Sequence, residues 1–105
     1  MNITLCATCA LGRDGFAAPL SHALTHAGIP HAIALADCLS GCTRPSALAF
    51  RAPGKTAYLF GDLTPADLPD LITFARLYAA APDGTFPDAR PLGPLRTKAI
   101  ARIPG

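Results

Sequence analysis

A chain of 105 residues with 50% apolar and 15% charged residues has the length of one small domain and the composition of a folded one. A net charge of +2, no Trp and few aromatic residues argue against nucleic acid as a partner, and no apolar run reaches the roughly 20 residues that span a bilayer. The opening "MNITLCATC" has neither the basic start nor the long apolar stretch of a secretory signal, so a cytoplasmic location is expected. Thiols stay reduced there, and paired cysteines then point to metal binding or redox chemistry more than to a disulfide framework.

"NITLC" (2–6) is short, apolar and partly β-branched, the pattern of a strand. "GRDG" (12–15) reads as loop. Phe16, Leu20, Ala23, Leu24 and Ala27 recur at helical spacing, which predicts a helix over 16–27 with Pro19 in its first turn and a stop at Gly28 and Pro30. "HAIALAD" (31–37) is the next strand. A strand, a helix and a strand in that order imply a right-handed crossover between parallel neighbours. "SALAF" (46–50) and "TAYLF" (56–60) flank "RAPGK", whose Pro53-Gly54 suits the centre of a type II turn, so these strands should form an antiparallel hairpin that ends at Gly61.

"TPADLPDLITFARLYAA" (64–80) predicts a long helix with Leu68, Leu71, Ile72, Ala75, Tyr78 and Ala79 on one stripe. Thr64 with Asp67, and Asp67 with Asp70, both resemble a capping box, and Pro69 favours the later start. Pro82 and Gly84 end the helix. Residues from about 88 to 105 form a Pro-rich tail, with Arg90, Arg96, Lys98 and Arg102 and no acid after Arg90. It reads as a solvated tail, or as a docking strip for an acidic partner or a second subunit. The fold class is therefore α/β, in the order β-α-β-β-β-α, with a mixed four-stranded sheet, both helices packed on it, and one domain over 1–105.

The chemistry rests on four cysteines. Cys6 and Cys9 lie at and just past the carboxyl end of the first strand, and Cys38 and Cys42 just past that of the second. Parallel neighbouring strands sit about 4.8 Å apart, so both pairs would leave the same end of the sheet, where ligands of open α/β sheets gather. Four thiolates suit Zn²⁺ or an iron–sulfur cluster. Ser40 and Gly41 are small enough to let backbone N–H groups reach sulfur. Arg13 and Arg44 each follow one pair. They would offset the charge of an anionic cluster or dock an acidic partner, or are ordinary solvated arginines. No His stands beside either pair, which speaks against a Rieske-type centre.

Two competing readings stay open. One is a C-x2-C thiol–disulfide couple with the second pair structural; the other is four buried cysteines. The redox couple is set back by its place, because such a motif sits on a helix start and "ALGRDG" intervenes here. His22 and His26 have metal-ligand spacing but face away from the Leu20–Leu24 stripe, and His31 at a strand start suits a structural role. There is no Ser-His-Asp set, phosphate loop or carboxylate pair in the sequence, so no enzyme activity is expected.

"DCLSGCTRPSALAFRAPGKTAYLFGDL" resembles the second half of thioredoxin-like [2Fe-2S] ferredoxins, in which a C-L-x-x-C loop leads into a hairpin and a helix. Over nearly its whole length the chain resembles a bacterial family of small proteins described only as predicted metal-binding, through "CATC", "CLSGCTR", "APGKTAYLFGDL", "LYAAAPDG", "RP" and "ARIP". The resemblance implies a thioredoxin-like fold, a [2Fe-2S] cluster on Cys6, Cys9, Cys38 and Cys42, and a homodimer. It implies an electron carrier or accessory protein that serves a redox partner. A proline at the place of Pro45 is often cis in such folds, so a cis Arg44–Pro45 bond is expected. The second reading is a protein for zinc or another metal, with a link to cobalt or corrinoid metabolism, and the third is a thiol–disulfide oxidoreductase.

Overall fold

Residues 1–7, 10–36, 46–85 and 90–104 are described by a computed structural model. The strands are β1 (Asn2–Cys6), β2 (Ala32–Ala36), β3 (Leu48–Arg51), β4 (Ala57–Phe60) and β5 (Ala99–Ile103), and the helices α1 (Ala10–Arg13), α2 (Ala17–His26) and α3 (Leu68–Ala80). The sheet runs β2-β1-β3-β4-β5. β1 and β2 are parallel, as the crossover predicts, and every other pair is antiparallel.

Local chemistry sets the joints. Gly28 has φ +74, its N–H donates to Thr25 O at 3.0 Å, and the Ile29 N–H donates to Leu24 O at 3.0 Å. That paired closure ends α2 and turns the chain into β2, at a conformation only glycine adopts cheaply. In the β3–β4 hairpin the Lys55 N–H donates to Ala52 O at 3.1 Å across Pro53 and Gly54, and Gly54 has φ +72. Proline at the first central position and a left-handed glycine at the second are what a type II turn requires.

The start of the long helix resolves into two pieces. Thr64 and Asp67 form the capping box on a 3₁₀ turn over Pro65–Asp67, with the Thr64 N–H donating to Asp67 Oδ2 at 2.8 Å. α3 then begins at Leu68, which leaves Pro69 in the first turn where its missing N–H costs little. The alternative box of Asp67 with Asp70 is not formed, since Asp67 makes no side-chain cap bond to α3.

Side chains of Ile3, Leu5, Leu48, Phe50, Tyr58 and Phe60 alternate onto one face of the sheet, and α2 and α3 pack there against it and each other. α2 contributes Leu20 and Leu24; α3 contributes Leu71, Phe74, Ala75 and Tyr78. The expected stripe is corrected at two positions: Ala79 is exposed, and Phe74, which the stripe omitted, is fully buried at the centre of the rings.

Three expectations are overturned. The sheet has five strands among the described residues, not four. The fifth comes from the segment read as a tail. Residues Arg90–Lys98 form a 3₁₀ segment that inserts Leu92 and Leu95 into the core, and β5 then pairs antiparallel with β4. The tail is a wall of the domain: the segment kinks at Gly93, φ +59, and the short pieces on either side of the kink each turn one leucine, Leu92 and Leu95, into the core. "GRDG" is only partly loop: Gly12 and Arg13 close the single turn of α1, and Asp14 and Gly15 turn the chain into α2. Among the described residues no helix is long and apolar enough to cross a membrane.

Candidate metal centre

Cys6 closes β1 and is 2% exposed. Its partner in the parallel register is Ala36, the last residue of β2. Just beyond, the Ala7 N–H donates to Ala36 O at 2.7 Å, and on the opposite side the Cys6 N–H donates to Ala47 O at 3.1 Å. The three places where the chain enters or leaves the cysteine segments therefore meet at one point. "CATC" leaves β1 there, the chain enters "DCLSGC" from Ala36 beside it, and it returns into β3 on the other flank of β1. The two pairs of the sequence share one end of the sheet at the level of their flanking strands.

α1 lies directly over this point. A side-chain carbon at Gly12 would collide with Cys6 O and stand 3.0 Å from Ala7 Cα, so α1 packs on the end of β1 backbone to backbone. Ser46 holds the other flank. It is buried at φ +59, and its Oγ accepts the Leu11 N–H at 3.3 Å, which ties α1 to the entry of β3. Neither Gly12 nor Ser46 stands out as a site residue in the sequence. The signal was present for Gly12, a glycine inside an otherwise helix-forming "ALGR" that marks a close backbone approach. Ser46 gave none, because its left-handed φ depends on tertiary contacts.

Cys9, Cys38, Cys42, Arg44 and the Arg44–Pro45 bond lie outside the described residues. Arg13 is exposed at the end of α1. His22 and His26 are exposed on α2, as their angular position predicts. His31 is structural. A carbonyl can only accept, so its Nδ1 carries the proton donated to Ile29 O at 2.8 Å, and in the neutral ring Nε2 accepts from the Ser21 hydroxyl at 2.9 Å. This pins the start of β2 to α2. Among the described residues no three His, Cys, Asp or Glu side chains cluster as a metal site.

At the far end of the hairpin a second set of contacts fixes α3. The Tyr78 hydroxyl donates to Thr56 O at 2.6 Å and the Tyr58 hydroxyl to Gly84 O at 2.6 Å, both buried. Burial raises the phenol pKa of both. Lys55 Nζ caps the end of α3 on Tyr78 O at 2.7 Å and lies over the Tyr78 ring.

No curated protein and no solved structure matches the chain. A family sequence model described as "Protein of unknown function (DUF1636)" matches residues 3–105. That match takes in all four cysteines and, but for Asn2 of β1, all five strands, and the chain belongs to the DUF1636 family.

Proposed function

We propose that the protein is a [2Fe-2S] ferredoxin-like electron-transfer or accessory protein whose ligands are Cys6, Cys9, Cys38 and Cys42. The observation that carries this reading is the convergence of Cys6, Ala7, Ala36 and Ala47 through two backbone hydrogen bonds of 3.1 and 2.7 Å at the end of β1. Cys38 follows Ala36 by two residues and Cys9 follows Cys6 by three, which limits their reach from this point to about 7 and 10 Å. A buried Cys6 on a rigid strand, in a set of four thiols, fits a group that wants thiolates and exclusion of water. When bound, the cluster supplies one-electron transfer. The chain supplies the rigid end of the sheet and the covering turn α1.

The order β1-α2-β2-β3-β4-α3, with β3 antiparallel to both its neighbours, supports a thioredoxin-like fold elaborated by β5. The proposal extends to a cytoplasmic homodimer that exchanges electrons with an acidic redox partner. Zinc is the second reading, because a C-x2-C pair is also the usual half-site of structural zinc. It covers metal handling, including cobalt or corrinoid metabolism. A thiol–disulfide oxidoreductase comes third. α1 does begin right after Cys9, but one turn of helix carries little of the dipole that lowers a thiol pKa.

Anaerobic purification, a visible spectrum and metal analysis separate the three. Brown protein with charge-transfer bands and about two irons per chain, lost in the Cys6→Ser variant, is expected. Colourless protein with one zinc selects the second reading. Metal-free protein with a titratable disulfide selects the third. Light scattering of the purified protein tests the homodimer.

A further inference from the structure

We propose that the slot between β4, β5, α3 and the 3₁₀ segment is a binding site for a small apolar carboxylate, of the size of one aromatic ring bearing one carboxyl group. The slot is a cavity of about 170 Å³. Its floor is aromatic: the Tyr58, Phe60 and Phe74 rings meet with centroids 5.0 to 6.2 Å apart. Leu92 and Ala99 form its sides. Among the described residues the charged groups that line it are Arg96 from the 3₁₀ segment and Arg102 from β5.

Both arginines are exposed at the mouth, and neither side chain makes a hydrogen bond or an ion pair with another described residue. The Tyr58 hydroxyl is already used on Gly84 O at 2.6 Å, so it offers no donor proton to a ligand. The slot thus has an apolar body and a cationic mouth, the usual division of labour in a small-molecule site. A guanidinium presents two parallel N–H groups that match a carboxylate, and two guanidiniums line this one cavity.

Size selects the ligand class. The cavity holds the volume of about six waters, below the roughly 300 Å³ where drug-sized sites begin, so nucleotides and larger cofactors are excluded. Inorganic phosphate would use the arginines but gain nothing from the apolar lining. A neutral arene would fill the apolar slot but leave the arginines without an anion. The slot lies two to three strand spacings, about 10 to 14 Å, from β1 and on the helix-covered side of the sheet. It shares no residue with the cysteine end and stands or falls independently of the cluster.

The test is an amide NMR titration of the full chain with benzoate, benzamide and inorganic phosphate. Benzoate should shift the amides of Leu92, Ala99 and Arg102 and saturate with a Kd of about 1 mM, ordinary for nine heavy atoms. Benzamide and phosphate should each bind at least about tenfold more weakly. Arg96→Gln and Arg102→Gln, exposed changes that should leave the spectrum otherwise intact, should each weaken benzoate about tenfold. Ala99→Leu, which fills one side of the slot, should weaken it as well. Three results overturn the proposal: no shifts at about 20 mM benzoate, benzamide or phosphate binding as tightly, or both arginine variants binding like the wild type.

Discussion

Gly12→Ala tests the packing of α1 over the end of β1, because two lines of reasoning give it opposite signs. On helix propensity alone, alanine in a helical turn is better than glycine by up to about 1 kcal/mol. The tertiary geometry says the reverse. The new Cβ would collide with the Cys6 carbonyl oxygen and press on Ala7 Cα at 3.0 Å, where ordinary contacts begin at 3.4 Å, so α1 must retreat. Its neighbour there is backbone within the sheet, held by the Cys6 N–H to Ala47 O and Ala7 N–H to Ala36 O bonds, and cannot yield as a side chain would. Overpacking of this kind costs about 1–3 kcal/mol, and retreat of α1 also strains the Leu11 N–H to Ser46 Oγ bond, worth about 1 kcal/mol more. After the propensity credit, a net loss of about 1–3 kcal/mol is expected. In urea unfolding that lowers the midpoint by about 1 M at unchanged slope. The amide shifts of Cys6, Ala7 and Leu11 should move most. A variant as stable as the wild type, or more so, would refute the backbone-to-backbone packing and with it the rigid frame proposed for Cys6.

Three further changes probe the remaining joints. Leu95→Ala should cost about 2–5 kcal/mol in urea unfolding, because Leu95 is 0% exposed; a cost below about 0.5 kcal/mol would return the segment to a solvated tail. Gly84→Ala places a Cβ 2.9 Å from both Thr56 N and Tyr78 Cε1 at φ +76, so a loss of about 2–3 kcal/mol and a fall in Tm of roughly 10 °C or more are expected by calorimetry. The folded pKa of Tyr58 and Tyr78 is raised by burial above 10.0, so the stability these groups contribute is fully present below pH 10.0 and is lost as pH rises through the raised folded values. These are the only two tyrosines, so tyrosinate absorbance reports on them alone; it should rise together with loss of the circular dichroism signal, and two phenols ionising at pH 10.0 in a still-folded protein would contradict their burial.

The legible part of the fold was the part decided locally. A glycine stop after "HALTHA", a Pro-Gly between two apolar runs and the stripe of Leu68, Leu71, Ile72, Ala75 and Tyr78 each carry their own geometry, and all three stand in the structure. The candidate site was legible at one remove. Once the helix between β1 and β2 makes them parallel neighbours, the cysteine pairs must leave from the same end, and the register of Cys6 with Ala36 follows from matched strand lengths. What covers that end was not legible. A backbone-to-backbone contact such as Gly12 on Cys6 O leaves no apolar pattern, and the left-handed φ of Ser46 is imposed by the turn it closes.

The misread tail has a different cause. Strand alternation reports burial of one face, and β5 is an edge strand with little of either face covered: of its five residues four are exposed and Ala101 is intermediate. Its place is fixed by its backbone pairing with β4 rather than by its side chains, so hydropathy carries almost no trace of it. The segment before it hides its two core leucines among Pro91, Gly93 and Pro94, residues that count as loop signals because they break α-helix and strand alike. Short 3₁₀ pieces tolerate the prolines, and the kink at Gly93, φ +59, lets the pieces on either side bury Leu92 and Leu95 with no continuous period for hydropathy to show. The same edge position frees Arg102 from any structural ion pair among the described residues while its neighbours close over three aromatic rings. A strand whose own side chains the core does not need is one whose side chains remain available to a ligand.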